Sequence, residues 1–236
     1  MKKILKFFLA PIIRYFYKKI KGKNNLIILR NSNPRGLKII IEGSDNSIIV
    51  NTIKYCKGSI TINGNHCHVE IDENATFIGS ATINGNQCHV EIGENATFIG
   101  SATINGNQCS VEIGENTIFS NEVYLVCVGK DNHIKIGKNC LFSDRIDIWA
   151  SDTHSIFDEN GEFINKEKDV IVGDKVWIGR HVKILKGVAI GNGSVIGMGT
   201  ILTKNVGEKE LVVGNPQRVI KRNISWSINY PNVDNL

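Results

Sequence analysis

Hydrophobic positions between residues 172 and 207 recur every six residues. The blocks VGDKVW, IGRHVK, ILKGVA, IGNGSV, IGMGTI and LTKNVG open on Val172, Ile178, Ile184, Ile190, Ile196 and Leu202. Their fifth positions are Val176, Val182, Val188, Ser194, Thr200 and Val206, all small or β-branched. A period of six fits neither a helix face nor the strict alternation of a half-buried strand. It predicts an all-β solenoid of hexapeptide type, in which three short strands make one triangular coil. One aliphatic side chain per flat side points inward, and stacking the coils ~4.8 Å apart builds a continuous core.

Upstream the period lengthens to 21. The segments ITINGNHCHVEIDENATFIGSA (60–81), TINGNQCHVEIGENATFIGSA (82–102) and TINGNQCSVEIGENTIFSNEV (103–123) are near copies. Ile71, Ile92 and Ile113 open one side, Phe77, Phe98 and Phe119 the second, and Ile83, Ile104 and Leu125 the third. Two of the three intervals are six and the third is nine, so three extra residues should bulge at the Asn-Gly corners. Degenerate copies at 39–50 and 126–140 join both repeats into one prism over 39–207, of about seven or eight coils and ~35 Å long. Thr76 with Thr97, Thr82 with Thr103, and Cys67, Cys88 and Cys109 should then form ladders. His68 and His89 stack too, and without a third ligand at suitable spacing they read as solvated corner histidines.

Two stretches break the pattern. After Ile136, Phe142 and Ile148, residues 154–169 (HSIFDENGEFINKEKD) hold no hexad and many charges, and a loop of that length in a compact solenoid is usually functional. Residues 208–236 should fold back over the last coils as an extended tail and cap, with a short helix near 217–226. The first 38 residues are basic and aromatic-rich, too interrupted by Lys6, Pro11 and Arg14 to span a bilayer. They read equally as a cap over the open end of the solenoid or as a segment lying on an anionic membrane surface.

Composition sharpens this picture in two places. Residues 1–23 carry eight Lys and Arg and no acid, which accounts for more than the whole net charge of +5. The charge sits in a tail and not along a groove, so nucleic acid is not an expected partner. Six cysteines without a CxxC and without a disulfide-like pattern imply reduced thiols, hence a cytoplasmic protein. Peripheral contact with the inner face of the membrane through the basic segment remains open.

Residues 148–206, with the histidine before the loop, the VWIG tryptophan and the GNP-x-R tail (214–218), resemble the hexapeptide-repeat acyltransferases. Within that family they look most like the capsule and sialic-acid O-acetyltransferases, with galactoside and maltose acetyltransferases as relatives. The resemblance implies a left-handed parallel β-helix, a hand that the usual right-handed crossover preference would not suggest. It implies acetyl-CoA as co-substrate, no permanently bound cofactor or metal, and a homotrimer with sites between subunits. By the same resemblance His154 is the general base, a role that suits neutral imidazole because a sugar hydroxyl must lose a proton as it attacks the thioester. Trp177 matches the tryptophan near the acyl group. Gly179, Arg180, Gly197 and Met198 match the wall along the pantetheine arm, Thr203 and Lys204 the pair in the last coil, and Arg218 and Lys221 the basic tail near the nucleotide phosphates. Trp149 and Tyr124 are candidate acceptor-stacking residues. Asp152 is a candidate for the acceptor site or for orienting the imidazole, and His181 has no assigned role. No Ser-His-Asp order and no activated cysteine are present, which favours direct transfer over an acyl-enzyme.

The expected activity is therefore transfer of acetyl from acetyl-CoA to a sugar hydroxyl of a bacterial surface polysaccharide, with sialic or polysialic acid as candidate acceptor. Two alternatives stand beside it: N-acetylation of an amino-sugar nucleotide, and a non-catalytic β-helix that binds a glycan or a surface.

Overall fold

The computed structural model describes residues 17–30 and 36–229. Those residues form 21 strands and no helix, so among them no helix is long and apolar enough to cross a membrane. Nearly every strand pairs in parallel with the equivalent strand one coil away, which is the topology of a parallel β-helix of about nine turns. The first face is a sheet of eight strands, among them His68–Ile71, His89–Ile92, Ser110–Ile113, His133–Ile136 and Val170–Val172. The second and third faces share one sheet, because strands such as Thr76–Asn84 and Leu141–Trp149 run round the corner between them. In the C-terminal coils that long strand splits into Trp177–Ile178 on the second face and Lys183–Leu185 on the third.

The repeat explains the core. Val172, Ile178, Ile184, Ile190, Ile196 and Leu202 are buried, and so are all six fifth positions, Ser194 and Thr200 included. Each hexad thus commits two side chains inward, one more than the sequence pattern suggested. The fifth position turns the chain back inward at the corner, where only a small or β-branched side chain fits. Ser194 and Thr200 remain satisfied there by donating to the carbonyls of Gly207 (2.7 Å) and Gly197 (2.7 Å). In the 21-residue coils Phe77, Phe98, Phe119 and Phe142 stack through the axis with ring centroids 5.9, 5.5 and 4.5 Å apart. The threonine ladders form, extended by Thr61, as does the column of Cys67, Cys88 and Cys109 inside the prism.

Glycine sets the corners of these coils. A Cβ on Gly79 (φ +141) would sit 1.8 Å from the Gly100 carbonyl oxygen, so no other residue fits that stack. The next strand, Ile118–Lys130, replaces the glycine corner by two extra residues between Ile118 and Val123. That insertion shifts the register. Leu125 stacks on Ala102, and Cys127 on Ile104, instead of Leu125 on Ile104 as the spacing alone implied.

Further boundaries move. The solenoid already includes Tyr17 and does not begin near residue 39, since Tyr17–Lys21 pairs with Leu37–Glu42 and Leu26–Leu29 with Ser47–Val50. At the other end Leu211–Val213 adds a rung beyond residue 207, so the coils number about nine and not seven or eight. Arg218–Lys221 is a strand antiparallel to that rung, where a short helix was expected. His68 and His89 lie on first-face strands and not at corners. Their rings stack at 5.2 Å, and each Nε2 is 3.1 Å from the carboxylate of Glu70 or Glu91. The basic N-terminal segment falls largely on residues 1–16, outside the described residues.

Candidate active site

The outward side chains of the third face change character along the prism. In the 21-residue coils they are Ser59, Ser80 and Ser101 in one column and Thr61, Thr82 and Thr103 in the next. After the two-residue insertion these columns continue as Tyr124, Asp147 and Lys183, and as Val126, Trp149 and Leu185. Tyr124 and Trp149 are therefore diagonal neighbours on adjacent rungs, both exposed, within reach of one ligand ring.

Directly after Trp149 the chain leaves the prism, and it rejoins at Val170. The exit is a tight turn. The His154 amide donates to the Asp152 carbonyl (2.8 Å), closing a three-residue γ-turn around Thr153 at φ +64. This turn projects His154 into solvent beside the third face. Asn165, on the returning leg, holds the same turn. Its amide nitrogen donates to the His154 carbonyl (2.8 Å) and to Asp152 Oδ2 (2.9 Å), and its oxygen accepts the Ile156 amide (2.6 Å). Lys186, from the coil beneath, donates to Asp152 Oδ2 and to the Asn165 carbonyl (2.6 Å). The Lys186 ammonium and the Asn165 amide hold the Asp152 carboxyl below the usual carboxylate range. The return leg is tied to the coil above: Glu167 accepts the Lys130 amide (3.1 Å) and Asp169 the His133 amide (2.8 Å).

Asp152 consequently differs from expectation. Its carboxylate is bonded by Lys186 and Asn165 and not by the His154 ring, so any effect on the imidazole runs through the loop and not through direct contact.

Six of the residues matched to a CoA site, Gly179 to Lys204, frame the third face on both sides. Gly179 and Gly197 stack at the corner leading into it, where a Cβ on Gly179 would lie 2.7 Å from the Met198 nitrogen. Met198 is fully open to solvent at that corner, whereas Arg180 is engaged by Asp144 (2.8 Å). Thr203 and Lys204 form the opposite corner, and Gln217 pins both by accepting their amides (2.8 and 3.0 Å) and donating to the Lys204 carbonyl (3.0 Å). Among the described residues Lys204, Arg218 and Lys221 form no ion pair, which leaves their charges free for an anionic ligand.

Trp177 is not brought to His154. It stands on the second face, in one column with Leu141 and Val195, and its ring packs 6.1 Å from that of Trp226 in the tail. Arg218 and Lys221 flank the same face. The groove there, about 520 Å³ between Ile118, Leu141, Lys175 and Trp226, contains none of the residues matched to chemistry. Sequence reasoning missed Asn165, Lys186, Gln217 and Trp226. A lysine, an asparagine and a glutamine outside the hexad code carry no sequence signal, and only the fold shows what they hold.

Residues 169–204 match the model of the bacterial transferase hexapeptide (six repeats) family. The chain superposes on the structure of NeuO, a polySia-specific acetyltransferase, with a TM-score of 0.74 and 27% identity over 92% of this chain and 91% of that one. The chain thus carries the hexapeptide repeat of that family in its C-terminal coils. Its fold is accordingly a left-handed parallel β-helix. The polysialic acid O-acetyltransferase OatWY is a second structural relative, with a TM-score of 0.61 and 27% identity over 94% of this chain and 96% of that one. In sequence, 96 residues (40% of this chain) are 38% identical to the polysialic acid O-acetyltransferase of Escherichia coli O1:K1 / APEC. That alignment spans 31% of the length of the curated relative.

Proposed function

We propose that this hexapeptide-repeat protein is an acetyl-CoA-dependent O-acetyltransferase acting on a sugar hydroxyl of a bacterial surface polysaccharide, with polysialic acid the leading acceptor. The observation that carries this reading is the near full-length likeness to NeuO, which includes the N-terminal coils as well as the hexads. His154, raised on its turn at the edge of the third face, is the general base. Its imidazole takes the acceptor hydroxyl proton as the oxygen attacks the thioester carbonyl. The tetrahedral intermediate collapses by breaking the C–S bond, the sulfur leaves with the proton returned by the imidazolium, and the products are a sugar acetate and CoA. Tyr124 and Trp149 form a platform for the acceptor ring, and Lys204, Arg218 and Lys221 meet the phosphates of the donor.

Because Trp177 and His154 stand on different faces of one chain, the reading includes a homotrimer. One protomer then supplies the His154 loop, and its neighbour supplies the second face with Trp177.

The test is free-thiol release from acetyl-CoA with a panel of sugars that includes sialic and oligosialic acid, comparing wild type with His154→Ala. We expect turnover with one acceptor, a hydroxylamine-labile product, and a loss of roughly 10²–10⁴-fold in the variant. A loss below tenfold would remove His154 from the mechanism, and a hydroxylamine-resistant product would replace the ester by an amide.

A further inference from the structure

We propose that Lys186, Asp152 and Asn165 form a positioning clamp that holds His154 in its working place, and that the clamp spans two coils of the prism. This rests on the assignment of His154 as the base.

The geometry is specific. Thr153 is β-branched and sits at φ +64, a conformation that such residues adopt only when their surroundings impose it. The two hydrogen bonds within the turn are local: Thr153 N to Ser151 Oγ (3.0 Å) and His154 N to the Asp152 carbonyl (2.8 Å). Neither connects the turn to the body of the protein. Asn165 and Lys186 do. Asn165 uses both ends of its amide on the turn and grips residues 152, 154 and 156 together. Lys186 joins Asp152 and the Asn165 carbonyl, and its side chain is only 17% exposed.

Lys186 belongs to the coil below the loop, next to Gly187 (φ +78), whose amide donates to the Asp169 carbonyl (3.0 Å) where the loop re-enters the prism. One corner of one coil thus receives both roots of the loop. None of these side chains is placed to touch a reacting atom. Their part is to fix the origin and direction of the base, and a displacement of about 1 Å in such a group can cost ~10²-fold in rate.

The experiment compares wild type with Lys186→Met, Lys186→Arg and Asn165→Ala, with Lys138→Met as control. Lys138 pairs with Glu115 on another part of the prism (2.9 Å). Steady-state thiol release is measured with acetyl-CoA and oligosialic acid, acetyl-CoA affinity by calorimetry, and amide deuterium exchange over residues 151–156. For Lys186→Met and Asn165→Ala we expect kcat to fall ~10–100-fold with acetyl-CoA affinity within about twofold of wild type, and exchange over 151–156 to accelerate. Lys186→Arg should recover most of the rate, and Lys138→Met should change nothing. An unchanged kcat in both clamp variants overturns the proposal, as does unchanged exchange over the turn. If wild type itself turns over no acceptor, the enzyme reading fails, and the exchange measurement still decides whether the clamp holds the turn.

Discussion

Phe98→Ala tests the central physical claim about the prism, that consecutive coils are held by an axial aromatic stack. The side chain is fully buried, with Phe77 stacked at 5.9 Å on one side and Phe119 edge-on at 5.5 Å on the other. Returning the ring to water removes ~2–3 kcal/mol of transfer free energy. A residual void of roughly 80–100 Å³, at about 24 cal/mol per Å³, adds ~2 kcal/mol. The corner glycines prevent collapse onto that void, because coils whose carbonyls already leave no room for a Cβ cannot approach further. The expected cost is therefore about 4–5 kcal/mol, a large part of the ~5–15 kcal/mol that stabilises a typical domain. Guanidinium unfolding followed by far-UV circular dichroism measures it, with Phe163→Ala as companion. Phe163 lies in the extruded loop and is 38% exposed, so its loss should cost below about 1 kcal/mol. A cost below about 1.5 kcal/mol for Phe98→Ala would mean that the coils are held by backbone ladders alone.

Two further outcomes follow from titrating groups. Burial pushes the Cys56 thiol up to about 12 and the Cys140 thiol to about 11, and all six cysteines are free and buried. Ellman's reagent should find no reactive thiol in the native protein near pH 8 and six in guanidinium, which also clears the background of the thiol-release assay; a rapidly titrating native thiol would contradict the packing. The Asp152 carboxyl is held low by Lys186 and Asn165, so its contribution to stability is present above the unfolded value of about 3.9 and is lost as pH falls through the lower folded value. The Tm difference between wild type and Asp152→Asn should stay constant from about pH 8 to 5 and shrink as pH falls below the unfolded value of about 3.9; a gap that widens on acidification would reverse the assignment.

The sequence carried the fold well because a solenoid writes its core into a period. Val172 to Leu202 and their fifth positions are readable at a spacing of six, and the register of Phe77 on Phe98 is readable at 21. Legibility ended where the period did. The shift that puts Leu125 on Ala102 comes from two residues inserted in an otherwise repeating strand, and spacing counts cannot say which corner absorbs them. The coil from Tyr17 escaped notice because Tyr17–Lys21 holds three lysines and a single half-buried isoleucine, too few apolar positions to show a period. At the site, the resemblance supplied His154, Trp177 and the glycine corners. The partner of Asp152 was not legible, because its proximity to His154 in sequence suggested contact with the imidazole, whereas Lys186, 34 residues on, bonds its carboxylate.

The inserted pair also explains why the candidate chemistry begins at that coil. Upstream, Gly58, Gly79 and Gly100 stack at one corner with no room for a side chain. The third face there repeats serine over serine and threonine over threonine. Between residues 58 and 129 the chain holds eight acids and no lysine or arginine, and nearly all of those acids lie on the first face and its corner. With Asn121 and Glu122 inserted, the corner becomes a turn that ordinary residues can make: Glu122, Arg145 and His181 occupy it at φ +47, +56 and +59. Coils after that point are free to differ. Tyr124 appears on the third face in one rung, Trp149 and the loop with His154 in the next, and positive charge returns at Lys130. Here the change of corner marks the passage from the repeating scaffold to the candidate site.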